Sequence, residues 1–166
     1  MKHLYFLLYL LIFSPLITLA QAPEIQWNYK AERISDSQVI LKINAGIDDS
    51  WRIFSIKAGD DELNTRIKIE PGSNNATSVI SIKENGNYKE IFEPLLEMDI
   101  KFIEGDADYE VVIEHNAPIP FIRGVVEFMS MKGEEVLSPI EAPFVFKFEE
   151  DGSIAGQYGS VVVDSE

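Results

Sequence analysis

The strongest constraint on this chain is a period of two. Ile25, Trp27, Tyr29 and Ala31 alternate with Gln26, Asn28, Lys30 and Glu32. Val39, Leu41, Ile43, Ala45 and Ile47 share one side of a second run, whose other side holds Gln38, Lys42 and Asn44 together with Ile40. Successive side chains of a strand point to opposite faces, so each run has one dry and one wet side. Further alternating or apolar runs lie at Trp51 to Ile56, Arg66 to Glu70, Ser78 to Lys83, Glu97 to Ile103, Tyr109 to Glu114, Phe121 to Met131 and Phe144 to Glu149. Asp48-Asp49-Ser50, Pro71-Gly72, Asn85-Gly86-Asn87, Glu104-Gly105-Asp106 and Lys132-Gly133-Glu134 separate them, and these residue types tolerate positive φ or tight reversal, so they read as turns and hairpin connections. No window sustains a 3.6-residue apolar stripe over three turns, which leaves room for no more than a short helical turn near Tyr88 to Leu95. About nine short strands in one domain predict an all-β fold, a β-sandwich rather than an open sheet.

The first residues carry an address instead of a fold. Lys2 and His3 precede the apolar run Leu4 to Phe13, and Ser14, Pro15 and Thr18-Leu19-Ala20 follow it, the three-part layout of a secretory signal peptide. Residues 1–20 are expected to be removed, with cleavage after Ala20 or Ala22. The run is interrupted by Ser14, Pro15 and Thr18 and falls short of the roughly 20 apolar residues a spanning helix needs, so no integral membrane segment is expected after cleavage. The domain is expected over residues 21–150, with 151–166 a tail or an extra edge strand. The expected location is the periplasm or the exterior.

Charge and cysteine usage remove whole classes of function. The 166-residue chain has 14 Lys plus Arg against 28 Asp plus Glu, a net charge of -14, and such a surface repels nucleic-acid phosphates. It has no cysteine, so disulfides, thiolate metal sites and cysteine nucleophiles are all excluded.

Two segments, IFEPLLEMDIKFIEGDADY from Ile91 to Tyr109 and GVVEFMSMKGEEVLSPIEAPFVFKF from Gly124 to Phe148, carry a resemblance. Together with Asp49-Ser50-Trp51-Arg52-Ile53-Phe54-Ser55, they resemble the N-terminal periplasmic domain of the thiol:disulfide interchange protein DsbD, and the similarity spans most of residues 25–149. The resemblance implies an immunoglobulin-like sandwich. In that family a hairpin carries two cysteines four or five residues apart, then two prolines, and the pair relays electrons to exported thiol proteins. Here Met131 and Val136 stand where the cysteines belong, and Ser138-Pro139 where the prolines belong. Neither a thioether nor an isopropyl group can ionise and attack a disulfide, so the relay does not carry over. What the resemblance leaves is a docking surface for another envelope protein through Phe128, Met129, Met131, Val136, Leu137 and Pro139, since methionine adapts to irregular partners. The same residues also fit plain core packing.

Other chemistry is thinly supported. His115 is the one histidine past the leader and is expected in solvent, beside the loop Asn116 to Pro120. Asp48-Asp49, Asp60-Asp61-Glu62 and Asp106 with Asp108 offer hard oxygens for calcium, but none fits a twelve-residue calcium loop. No Gly-x-Ser-x-Gly context supports a serine nucleophile, and no spacing singles out a carboxylate pair for glycoside hydrolysis. Trp27 and Trp51 fall on dry faces and are expected in the core, and Asn75-Ala76-Thr77 matches a glycosylation acceptor. The expectation is an exported, non-catalytic domain without cofactor that binds another periplasmic or envelope protein. A small-ligand or calcium-binding sandwich and a carboxylate-dependent hydrolase are the alternatives.

Overall fold

The alternating runs fold as strands, eleven among the described residues: β1 Ile25–Ser35, β2 Gln38–Ile47, β3 Trp51–Phe54, β4 Arg66–Ile69, β5 Thr77–Glu93, β6 Met98–His115, β7 Phe121–Phe128, β8 Ser130–Lys132, β9 Glu135–Val136, β10 Ile140–Phe148 and β11 Ile154–Gly159. The computed structural model describes residues 25–70, 77–94, 97–116, 119–137, 139–149 and, as backbone alone, 154–159. The leader, its cleavage sites, Pro71-Gly72, Asn75, Ala76 and Ser138 lie outside the described residues. Every pairing between the strands is antiparallel. One sheet runs β1-β2-β6-β3-β8-β9 with β5 on the other side of β6, and the second runs β11-β10-β7-β4. The two form a sandwich, as the period-two pattern predicts.

Between the sheets the alternation does what it should. Ile25, Tyr29, Ala31, Val39, Leu41, Ile43, Ala45 and Ile47 are all buried, and they meet Ile122, Val126, Phe128, Ala142, Phe144 and Phe146 of the other sheet. Each such side chain contributes about 1.5–3 kcal/mol on leaving water. Trp51 is buried in this core and Trp27 packs half-buried against it, both on the expected side. Rings interlock across the gap: Trp27 lies 5.1 Å from Phe128 and Tyr29 lies 5.2 Å from Phe144, centroid to centroid. A second, smaller cluster of Phe54, Ala58, Ile100, Phe102 and Met131 sits apart from it.

Several local readings give way to tertiary pairing. Asn85-Gly86-Asn87 is no hairpin turn but the middle of β5, and Glu104-Gly105-Asp106 lies within β6. The two irregularities face each other: Gly86 pairs with Ala107 while Asn87 pairs with Glu104, so Gly105 and Asp106 are extra residues on β6. Gly105 takes φ 77 there, as glycine can. Gly86 serves close packing instead of reversal, because a Cβ at that position would stand 2.7 Å from Ile103 Cγ2. The helical turn expected from Tyr88 is absent, since β5 stays extended to Glu93 against Met98 to Glu104. The run Phe121 to Met131 divides at Met129, with β7 in the four-stranded sheet and β8 in the seven-stranded one. His115, expected in solvent, is buried at 9% exposure, and its N–H donates to the Ser37 carbonyl at 2.8 Å. β11 adds an edge strand beside β10.

Candidate functional site

The β8–β9 hairpin is two short strands closed by Gly133, whose φ of 62 explains why glycine occupies the turn. Met131 stands directly opposite Val136, and Lys132 opposite Glu135. β8 in turn lies along β3, with Trp51 facing Lys132 and Arg52 facing Met131. The Leu137 N–H donates to the Ser130 carbonyl at 2.8 Å, which closes the two arms of the hairpin on each other, and the Phe54 N–H donates to the Met129 carbonyl at 3.3 Å, which ties its start to β3.

The six residues singled out from the sequence divide by this geometry. Phe128 is buried at 2% exposure against Trp27, and Met131 at 7% in the smaller cluster. Met129 packs half-buried on the smaller cluster and Leu137 half-buried on the main core. Val136 is 46% exposed and Pro139 is exposed. The hairpin thus leaves Val136 and Pro139 exposed at the sheet edge and uses Phe128 and Met131 to hold itself in place. Of the chain's four methionines, Met98, Met129 and Met131 all pack on the smaller cluster, where flexible thioethers fill an irregular space between β3, β6 and β8.

The surroundings of the hairpin are charged. The Arg52 guanidinium bonds Glu104 at 2.9 Å and lies 4.7 Å over the Phe102 ring, and the Lys132 ammonium lies 5.1 Å from the Trp51 ring. Asp48 caps the adjoining turn, accepting from the Ser50 N–H at 3.0 Å and hydroxyl at 2.8 Å, and these bonds hold its carboxyl below the usual range. Asp60 accepts from the Glu62 N–H at 2.7 Å, and Asp108 accepts from the Asn44 amide at 2.8 Å. Asp48, Asp60, Asp61 and Asp108, four of the carboxylates considered for calcium, are therefore engaged in turns and side-chain pairs. Among the described residues no three His, Asp or Glu side chains converge in a group fit to hold a metal.

A feature the sequence reading missed lies across the sheet. On the outer face of β1, β2, β6 and β5, registered rows of Asn28, Asn44, Asp108, Asn85 and of Lys30, Lys42, Glu110, Lys83 line an open groove of about 550 Å³. Lys30 and Lys42 both pair with Glu32, at 2.9 and 2.8 Å, and those bonds hold the Glu32 carboxyl down at about 2. On the other face of β5, Glu84 accepts from the Ser55 hydroxyl at 2.5 Å and the Ile56 N–H at 2.9 Å, clamping the strand to the β3–β4 loop. Burial, with Glu84 adding to it, pushes the Tyr109 phenol well up. In the sequence the Lys83-Glu84 and Lys89-Glu90 pairs flank Asn85-Gly86-Asn87, whose turn signal hides that they lie on one strand.

No family model matches the chain, and no curated protein matches it. Among solved structures it is similar to the DsbD N-terminal domain of Neisseria meningitidis in the reduced form, with a TM-score of 0.50 over 79% of this chain and 88% of that one, at 11% identity. The likeness is one of fold: the chain is an immunoglobulin-like β-sandwich. No helix among the described residues is long and apolar enough to cross a membrane.

Proposed function

We propose that the chain is an exported, non-catalytic sandwich domain, redox-inactive, that binds another periplasmic or cell-envelope protein at the β8–β9 end of its larger sheet. The observation carrying this reading is the pairing of Met131 with Val136 directly across the hairpin. On the sequence resemblance these are the two cysteine positions, and a cross-strand pair is where a hairpin disulfide would form. With a thioether and an isopropyl group there, the hairpin keeps its shape and loses its thiol chemistry. The exposed Val136 and Pro139, with the exposed Glu134 and Glu135 preceding them in the chain, remain as a contact surface that joins a small apolar patch to charged neighbours.

The test is a photocrosslinking residue at position 136 in the chain expressed in its own envelope. One discrete adduct is expected, lost when Pro139→Asp is added, and absent when the crosslinker is moved to position 147 on the other sheet. Equal crosslinking at 136 and 147 overturns the docking surface, and reduction of insulin disulfides by the purified chain overturns the redox-inactive reading. The groove lined by Asn28, Asn44, Asn85 and Lys83 supports a second reading, a domain that binds a small polar ligand.

A further inference from the structure

The larger sheet ends on one side at β5, which is 17 residues long and, among the described residues, paired with β6 alone. Mean strand length in soluble proteins is about 5–6 residues, and long exposed edges are ordinarily shortened, covered or bent. Of the eight large hydrophobic side chains exposed among the described residues, β5 holds five: Val79, Ile80, Tyr88, Ile91 and Phe92. Exposed apolar side chains and an unpaired backbone edge therefore coincide on one strand, away from the hairpin.

The kind of occupant follows from the geometry. A row of N–H and C=O groups at strand spacing is satisfied only by another extended chain. Charge narrows it further. In a chain of net charge -14, Lys83 and Lys89 are exposed on β5, and among the described residues neither forms an ion pair. They stand six residues apart, hence on the same face of the strand, one on each side of the irregularity between Gly86 and Asn87. A second copy fits poorly: two chains of this charge repel, and antiparallel pairing of two β5 strands about Gly86 sets Lys83 of each against Lys89 of the other.

We propose that β5 accepts an extended segment of another protein by strand addition, and that this segment alternates apolar residues with carboxylates placed to meet Lys83 and Lys89. This surface is separate from the β8–β9 hairpin and does not depend on the reading above. The test uses a fluorescein-labelled ten-residue peptide of alternating valine and threonine, with glutamate at two positions six apart, titrated into the chain as recovered from the cell. Saturable binding is expected, weakened at least about tenfold in the Lys83→Glu, Lys89→Glu double variant. The same peptide with lysine in place of glutamate should bind the double variant better than the native chain. Hydrogen exchange should slow at β5 amides on binding, which a loose electrostatic contact would not do. Absence of saturable binding, binding indifferent to the double variant, or unchanged exchange in β5 overturns the proposal. A concentration-dependent dimer whose formation slows exchange in β5 instead names a second copy as the occupant and overturns it equally. Val136→Asp must leave peptide binding unchanged, so the failure of this inference and the failure of the hairpin reading are separately visible.

Discussion

β1 and β5 are the two outer strands flanking β2 and β6 and both are long, yet they end in opposite states. β1 buries Ile25, Tyr29 and Ala31, and β10 and β11 of the facing sheet lie against it. The Tyr29 hydroxyl crosses to the Ala142 carbonyl at 3.4 Å, and burial pushes its phenol far up. β5 buries none of its residues fully, and Glu84 fastens it to the β3–β4 loop. Alternation makes a strand of β1, whereas pairing with β6 keeps β5 extended. Whether the dry side stays dry depends on whether the other sheet reaches across it.

The contrast can be broken most forcefully at β1. Tyr29→Ala removes a buried ring packed on Phe144, and is expected to cost about 3–5 kcal/mol in urea unfolding. A cost near zero would mean that the covered edge is no more closed than the open one. Glu84→Ala comes next, since it strands the Ser55 hydroxyl and the Ile56 N–H. About 1–3 kcal/mol should be lost, with faster hydrogen exchange concentrated in Thr77 to Gly86. Uniform acceleration across the whole sheet would show that the clamp is not local to β5.

Phe92→Ser is expected to change stability by less than about 0.5 kcal/mol, because the ring is already 62% exposed. A large loss there would mean β5 hides apolar surface after all. The smallest effect is electrostatic and belongs to the wet face of β1. The Glu32 carboxyl titrates at about 2 against an ordinary 4.5, held down by Lys42 first and Lys30 second. A depressed carboxyl contributes stability above its unfolded value, and that contribution is lost as pH falls from about 4.5 through about 2. NMR titration of Glu32 should show that midpoint, and Lys42→Met should move it back toward 4.5; an unmoved midpoint would sink the assignment.

The candidate site was half legible. Met131 and Val136 were identifiable from the resemblance, and the Lys132-Gly133-Glu134 turn from its glycine. Which of the two would be covered was not, because directly opposed residues share a face and only the β3 and β6 side chains packed on Met131 decide it. The β5 clamp and the outer groove were invisible for a different reason. Asn-Gly-Asn in Asn85 to Asn87 carries a strong local turn signal, which pairing with β6 overrides.

By itself the sequence determined the element type, the inward residues of β1 and β2, the sandwich class and the impossibility of thiol chemistry, because period-two alternation and the absence of a sulfhydryl are local properties of a chain. Tertiary structure alone decided that two apparent turns are opposed irregularities within long strands, that one apolar run splits between two sheets, and that one outer strand is covered while another lies open. Those outcomes depend on which backbone meets which across distances the local pattern does not encode: a long strand is a closed wall or an open edge according to what packs against it.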